Sequence, residues 1–163
     1  MGRRGTRRKF AGSALWGFVA CCAAASLAGC TSGTLSGTQQ SCESNVGLLD
    51  NKKVSCAGSV DTVSGSPSLS VVEISERLDG PFRLETTITV GRGTARARVT
   101  DVDDQKVGGE VSPGDPLRIV ALVYPEEIPG SEDEEERVDA QFEVAEGQEV
   151  RDLRYEATLV AQE

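Results

Sequence analysis

The most regular feature of the chain is a hydrophobic period of two. In FRLETTITV (82–90), Phe82, Leu84, Thr86, Ile88 and Val90 alternate with Arg83, Glu85, Thr87 and Thr89. In the next segment Ala95, Ala97 and Val99 alternate with Arg96 and Arg98. Such alternation marks half-buried strands. The Gly91-Arg92-Gly93 turn between them keeps the apolar sets on one face, which predicts a β-hairpin. LRIVALVY (117–124) follows a Pro113-Gly114-Asp115-Pro116 turn and is apolar on both faces apart from Arg118, predicting a central strand. VDAQFEV (138–144) turns Val138, Ala140, Phe142 and Val144 inward, and Leu153, Tyr155, Ala157, Leu159 and Ala161 share one face of a last strand. Weaker candidates lie at 53–59, 68–76 and 106–111. Seven or eight short strands without a helical segment predict an all-β fold, an antiparallel β-sandwich over residues 42–163. Immunoglobulin-like topology is one arrangement that suits this count, although the buried tryptophan of true immunoglobulin domains is missing.

The first thirty residues follow a different pattern. Arg3, Arg4, Arg7, Arg8 and Lys9 precede an apolar, alanine-rich run over 11–29 that ends in Leu27-Ala28-Gly29-Cys30. The run has the length of a secretory h-region, and glycine and serine interrupt it as a spanning helix. This arrangement resembles the lipobox signal peptide of bacterial lipoproteins. The resemblance implies acylation of the Cys30 thiol, removal of residues 1–29 and a lipidated Cys30 as the new N-terminus. Small residues before the cysteine let the peptidase approach the backbone, and only a thiol accepts the diacylglyceryl group. Thr6-Arg7-Arg8-Lys9-Phe10 also resembles a twin-arginine export motif, which leaves that route and ordinary Sec export both open. Several acyl chains give firm anchoring where a single chain holds only marginally. Thr31 stands where a retention aspartate would keep a lipoprotein at the inner membrane. The family rule therefore points to the outer membrane of a host with two membranes, and to the outward face of a host with one.

Processing changes the composition. Without residues 1–29 the chain has 134 residues, with twelve basic residues against all 26 acids, a net charge of −14. That balance argues against nucleic acid and against adhesion to anionic lipid. Residues 30–41, which include TSGTLSGTQQS (31–41), are small and polar and read as a lipidated cysteine followed by a flexible tether, whose eleven residues would span about 18 Å. Cys42 and Cys56 remain as a pair, expected as a structural disulfide outside the cytoplasm. Their loop of about 15 residues would contribute roughly 3 kcal/mol in the chain-entropy account.

Three features are candidates for chemistry. PEEIPGSEDEEER (125–137) carries Glu126, Glu127, Glu132, Asp133, Glu134, Glu135 and Glu136. Calcium takes six to eight oxygens, and Glu132, Asp133 and Glu134 together with Asp101, Asp103 and Asp104 of the DVDD segment are the candidate ligands. Solvated-loop and turn readings compete with that, since Asx side chains cap their own turns. Glu132 to Glu136 are also the candidate contact for a basic partner. Arg83, Arg96 and Arg98 share the outer face of the expected hairpin, where pairing with Glu85 competes with an anion or partner site. With no histidine in the chain there is no Ser-His or Cys-His nucleophile, and no nucleophile elbow or phosphate loop is present. The expectation is a non-catalytic, lipid-anchored binding or scaffolding module of the cell envelope that needs no cofactor. A calcium-dependent module is the alternative, and a carboxylate-based hydrolase the third reading.

Overall fold

The alternating segments fold as antiparallel strands in two facing sheets. A computed structural model describes residues 33–46, 52–75, 80–131 and 135–162. One sheet contains β1 (Gly33–Ser36), β2 (Gln39–Val46), β3 (Lys52–Gly65), β5 (Phe82–Thr89), β8 (Leu117–Val123) and β11 (Val150–Ala161). Its order is β1-β3-β11-β5-β8, with β2 also pairing with β3. The other contains β4 (Ser68–Ile74), β6 (Ala95–Thr100), β7 (Lys106–Val111), β9 (Glu126–Glu127) and β10 (Glu136–Val144), in the order β4-β10-β6-β7, with β9 alongside β10.

Eight of these strands form the body: β3-β11-β5-β8 faces β4-β10-β6-β7. Of the consecutive connections among the eight, only β6–β7 stays within a sheet; the rest cross from one sheet to the other. That is the arrangement of a jelly roll. An immunoglobulin-type sandwich keeps at least half of its consecutive connections within one sheet, so the sandwich stands and the immunoglobulin-like topology does not.

The expected 82–99 hairpin is also corrected. β5 pairs with β11 and β8, whereas β6 pairs with β10 and β7. Residues 90–94 arch between the sheets. Gly93 takes φ +83, and a side chain there would meet the Glu149 carbonyl. A hairpin and an arch both keep Phe82, Leu84, Ile88, Ala95, Ala97 and Val99 facing inward, so alternation cannot separate them.

Two further expectations give way. The described part of the segment read as a tether, 33–41, forms β1 and the start of β2 at a sheet edge. Gly33 to Ser36 lie opposite Gly65 to Thr62, and Gln39 to Val46 opposite Ser59 to Lys52. Its small polar residues suit an exposed edge, where only backbone pairing is required, and Leu35 alone packs on the core. The 117–124 strand is likewise at an edge, not the centre, because the late-arriving β11 takes the centre between β3 and β5.

The core lies between the sheets. Val60, Val63, Leu84, Ile88, Phe142, Leu153 and Leu159 are buried there, each such side chain contributing about 1.5–3 kcal/mol in transfer terms.

Candidate functional site

The connections gather at two poles. Among the described residues, 65–67, 90–94, 112–116 and 145–149 lie at one; Ser75, 80–81, 101–105, 124–131, Glu135 and the C-terminal end of β11 lie at the other. Of the acids singled out in the sequence, the second pole holds Asp101, Asp103, Asp104, Glu126, Glu127 and Glu135 among the described residues. The described residues of its connections carry these six acids and no basic residue. The four turns of the first pole carry three acids and Arg92.

The Asp101 turn is built from its own carboxylate. Asp101 Oδ1 accepts the backbone N–H groups of Asp103 at 3.0 Å and Gln105 at 2.8 Å. The Asp101 N–H donates to the Gln105 carbonyl, and Asp104 adopts φ 59, a conformation Asp tolerates through such local bonds. One Asp101 oxygen is thus engaged by the turn, while Asp103 and Asp104 are exposed. Glu132, Asp133 and Glu134 lie outside the described residues. Among the described residues, no group of three or more His, Cys, Asp or Glu is placed to hold a metal ion.

Glu135 and Glu136 differ from each other. Glu135 Oε2 accepts the Ser131 hydroxyl at 3.1 Å, and the Ile128 N–H donates to the Glu135 carbonyl at 2.8 Å. Glu136 is the first residue of β10 and only 5% exposed, which corrects its expected role as a partner contact. The signal was in the sequence: Glu136 has the parity of Val138, Ala140, Phe142 and Val144, so the strand turns it inward.

The arginine set is divided between opposite outer faces. Arg83 pairs with Glu85 at 2.7 Å on β5, and Glu85 also pairs with Arg118 on β8 at 2.9 Å. The hydrogen bond from Arg118, aided by the charge of Arg83, holds the Glu85 carboxyl below its usual range. On the other face Arg98 lies 3.7 Å from Glu143, and Arg96 stands in register between Glu143 and Glu110. Arg96 and Arg98 flank a shallow groove of about 160 Å³ that also takes in Ser66, Lys106 and Gln141. Arg83 therefore forms no joint site with Arg96 and Arg98.

Sequence reasoning missed the outer surface of β8. Val120 and Leu122 are 41% and 36% exposed, and Tyr124 just beyond is 57% exposed. The Val102 N–H donates to the Leu122 carbonyl, so part of this edge is occupied by the 101–105 turn. An apolar run on both faces has two meanings, a covered strand or an edge with an apolar outer face, and no nearby residue distinguishes them.

The expected Cys42–Cys56 disulfide is present. It joins directly opposed residues of β2 and β3, with Cα atoms 4.1 Å apart. Nearby, Tyr155 crosses from β11 to donate its hydroxyl to the Ser70 carbonyl of β4 at 3.3 Å. Burial, with a contribution from the charge of Glu73, pushes its pKa up to about 12. Its bond to Ser70 ties the two sheets together, and any side chain at Gly58 on the neighbouring β3 would collide with its ring. Cys30 and the whole 1–29 segment lie outside the described residues.

No protein-family model matches the chain, and no curated protein matches it. Among solved structures it is similar to procruciferin, an 11S globulin from Brassica napus. The identity is 14% over 66% of this chain and 20% of that one, with a TM-score of 0.31. It is also similar to the recombinant pro-11S globulin of pumpkin, at 16% identity over 66% and 20% with TM-score 0.31. Pumpkin seed globulin gives 16% identity over 66% and 21%, again with TM-score 0.31. The chain spans about a fifth of the length of these globulins, and its fold assignment rests on the two sheets themselves.

Proposed function

We propose that this chain is a bacterial lipoprotein, exported and anchored through lipidated Cys30, whose jelly-roll domain is a non-catalytic binding or scaffolding module of the cell envelope. The observation that carries the reading is Leu27-Ala28-Gly29-Cys30 closing an apolar run behind five basic residues. The cross-strand disulfide agrees with an oxidising compartment outside the cytoplasm. A binding role in place of turnover is supported by the chain's chemistry. It has no histidine, and the most perturbed titratable group among the described residues, Tyr155, serves the packing between the sheets. The partner is another envelope protein, met through the acidic pole. Glu132, Asp133, Glu134 and Glu135 are the contact residues, and Glu136 is withdrawn from that set by its burial.

The test of the anchor is Cys30→Ser. The variant should accumulate as an uncleaved precursor that yields no diacylated peptide on digestion. Recovery of normally processed, lipidated protein from it would end this reading.

A further inference from the structure

We infer that the domain stands directly on the bilayer on one pole, with turns 65–67, 90–94, 112–116 and 145–149 against the lipid headgroups and the acidic pole facing away. The inference rests on the proposal that Cys30 is the lipidated residue. What carries it is the place where the first strand begins. β1 starts at Gly33, so two residues separate it from Cys30. Three residue steps reach at most about 10 Å, even fully extended.

The start of β1 is fixed to one pole. Gly33 lies opposite Gly65, and a side chain at Gly33 would collide with the backbone of Ser66 and with Pro67. The Thr34 and Ser64 hydroxyls are hydrogen-bonded at 2.8 Å, and Leu35 packs on the core. The Pro67 carbonyl in turn accepts the Phe142 N–H from β10. Turn 145–149 belongs to the same pole, since Val150 lies opposite Val63 and Arg92 bridges Arg151. A lipid chain on Cys30 therefore brings these turns to the membrane surface.

The nine residues of β10 run away from that surface for roughly 30 Å. At their far end is the pole whose described connections hold six carboxylates and no base. Anionic lipid repels that pole and is opposed much less by the other, so charge and the short attachment favour the same orientation. A protein partner then meets the acidic pole from the side away from the bilayer.

The experiment uses the full lipidated protein reconstituted into phosphatidylcholine–phosphatidylglycerol vesicles containing a headgroup spin-labelled lipid. A fluorophore is placed on Gln148→Cys at one pole or on Asp103→Cys at the other, both exposed turn positions. Quenching should be several-fold stronger at 148 than at 103. A Gly/Ser insertion of about twelve residues between Thr31 and Ser32, with a reach of roughly 20 Å, should bring the two values together. Equal quenching in the uninserted protein, or stronger quenching at 103, overturns the orientation. A chain beginning at Thr31, which has neither the apolar leader nor an acyl group, separates the two failures. If the native chain binds vesicles no better than this variant, the anchor itself is wrong and the orientation falls with it.

Discussion

At one edge of the six-stranded sheet, β2 exposes Gln39, Ser41, Glu43 and Ser44 and is tied to β3 by Cys42–Cys56. At the opposite edge, β8 exposes Val120 and Leu122 and is flanked by the Arg83–Glu85–Arg118 cluster. The polar segment has a covalent staple, and the apolar segment has charges beside it and the 101–105 turn against its backbone. Hydropathy reads the start of the first as a tether and the second as a central strand, yet both are edges. An edge strand needs one pairing partner and a reason to stay, and a polar strand finds the second in a cross-link. An apolar strand reaches the centre of a sheet only if no later strand claims that position.

The comparison can be broken most strongly at the staple. Replacing both Cys42 and Cys56 by Ser should lower stability by about 3 kcal/mol. Hydrogen exchange should show protection lost first along β1 and β2, while β8 keeps its own. Uniform loss across both edges would mean that the staple supports the whole domain and not this edge.

A smaller effect is expected beneath the same edge. Tyr155→Phe removes the bond to Ser70 and should cost about 1 kcal/mol at neutral pH. Because the folded state holds the phenol proton more tightly than the unfolded chain, native stability is fully present below about pH 10. It declines as pH rises through the folded value of about 12. Thermal unfolding followed between those pH values should show the decline in the native chain and a flatter curve in Tyr155→Phe.

The smallest effect belongs to β8. Glu85 is held below its usual 4.5 by Arg118 and Arg83, so its contribution is present above that value and is lost as pH falls through the lowered one. The cluster lies in solvent, so Glu85→Gln should change melting only slightly at neutral pH, and less at high salt. A large loss of stability in this variant would show that the ion cluster, not the turn at Val102, secures the β8 edge.

Side-chain parity was legible residue by residue. Phe82, Leu84, Thr86 and Ile88 on β5, Val138, Ala140, Phe142 and Val144 on β10, and Leu153, Tyr155, Ala157 and Leu159 on β11 all face the core as the alternation requires. Parity reports which face a side chain takes and is silent about which backbone lies beside it. That is why the 90–94 arch read as a hairpin turn and why the arginine set read as one face. Strand pairing is decided by distant segments that no local window contains. At the acidic pole, the self-capped Asp101 turn was readable from Asx chemistry. The burial of Glu136 was readable too, once its phase is counted with Val138 rather than with the acids before it.

The position of β11 has a consequence for how the chain acquires its structure. The strand nearest the C-terminus forms the middle of its sheet, with Leu159 opposite both Val54 and Leu84. Until it is in place, β3 and β5 have no ladder between them and the sheet is two unconnected halves. Contacts so distant along the chain close slowly. The six-stranded sheet therefore becomes one continuous ladder only when β11 inserts between β3 and β5.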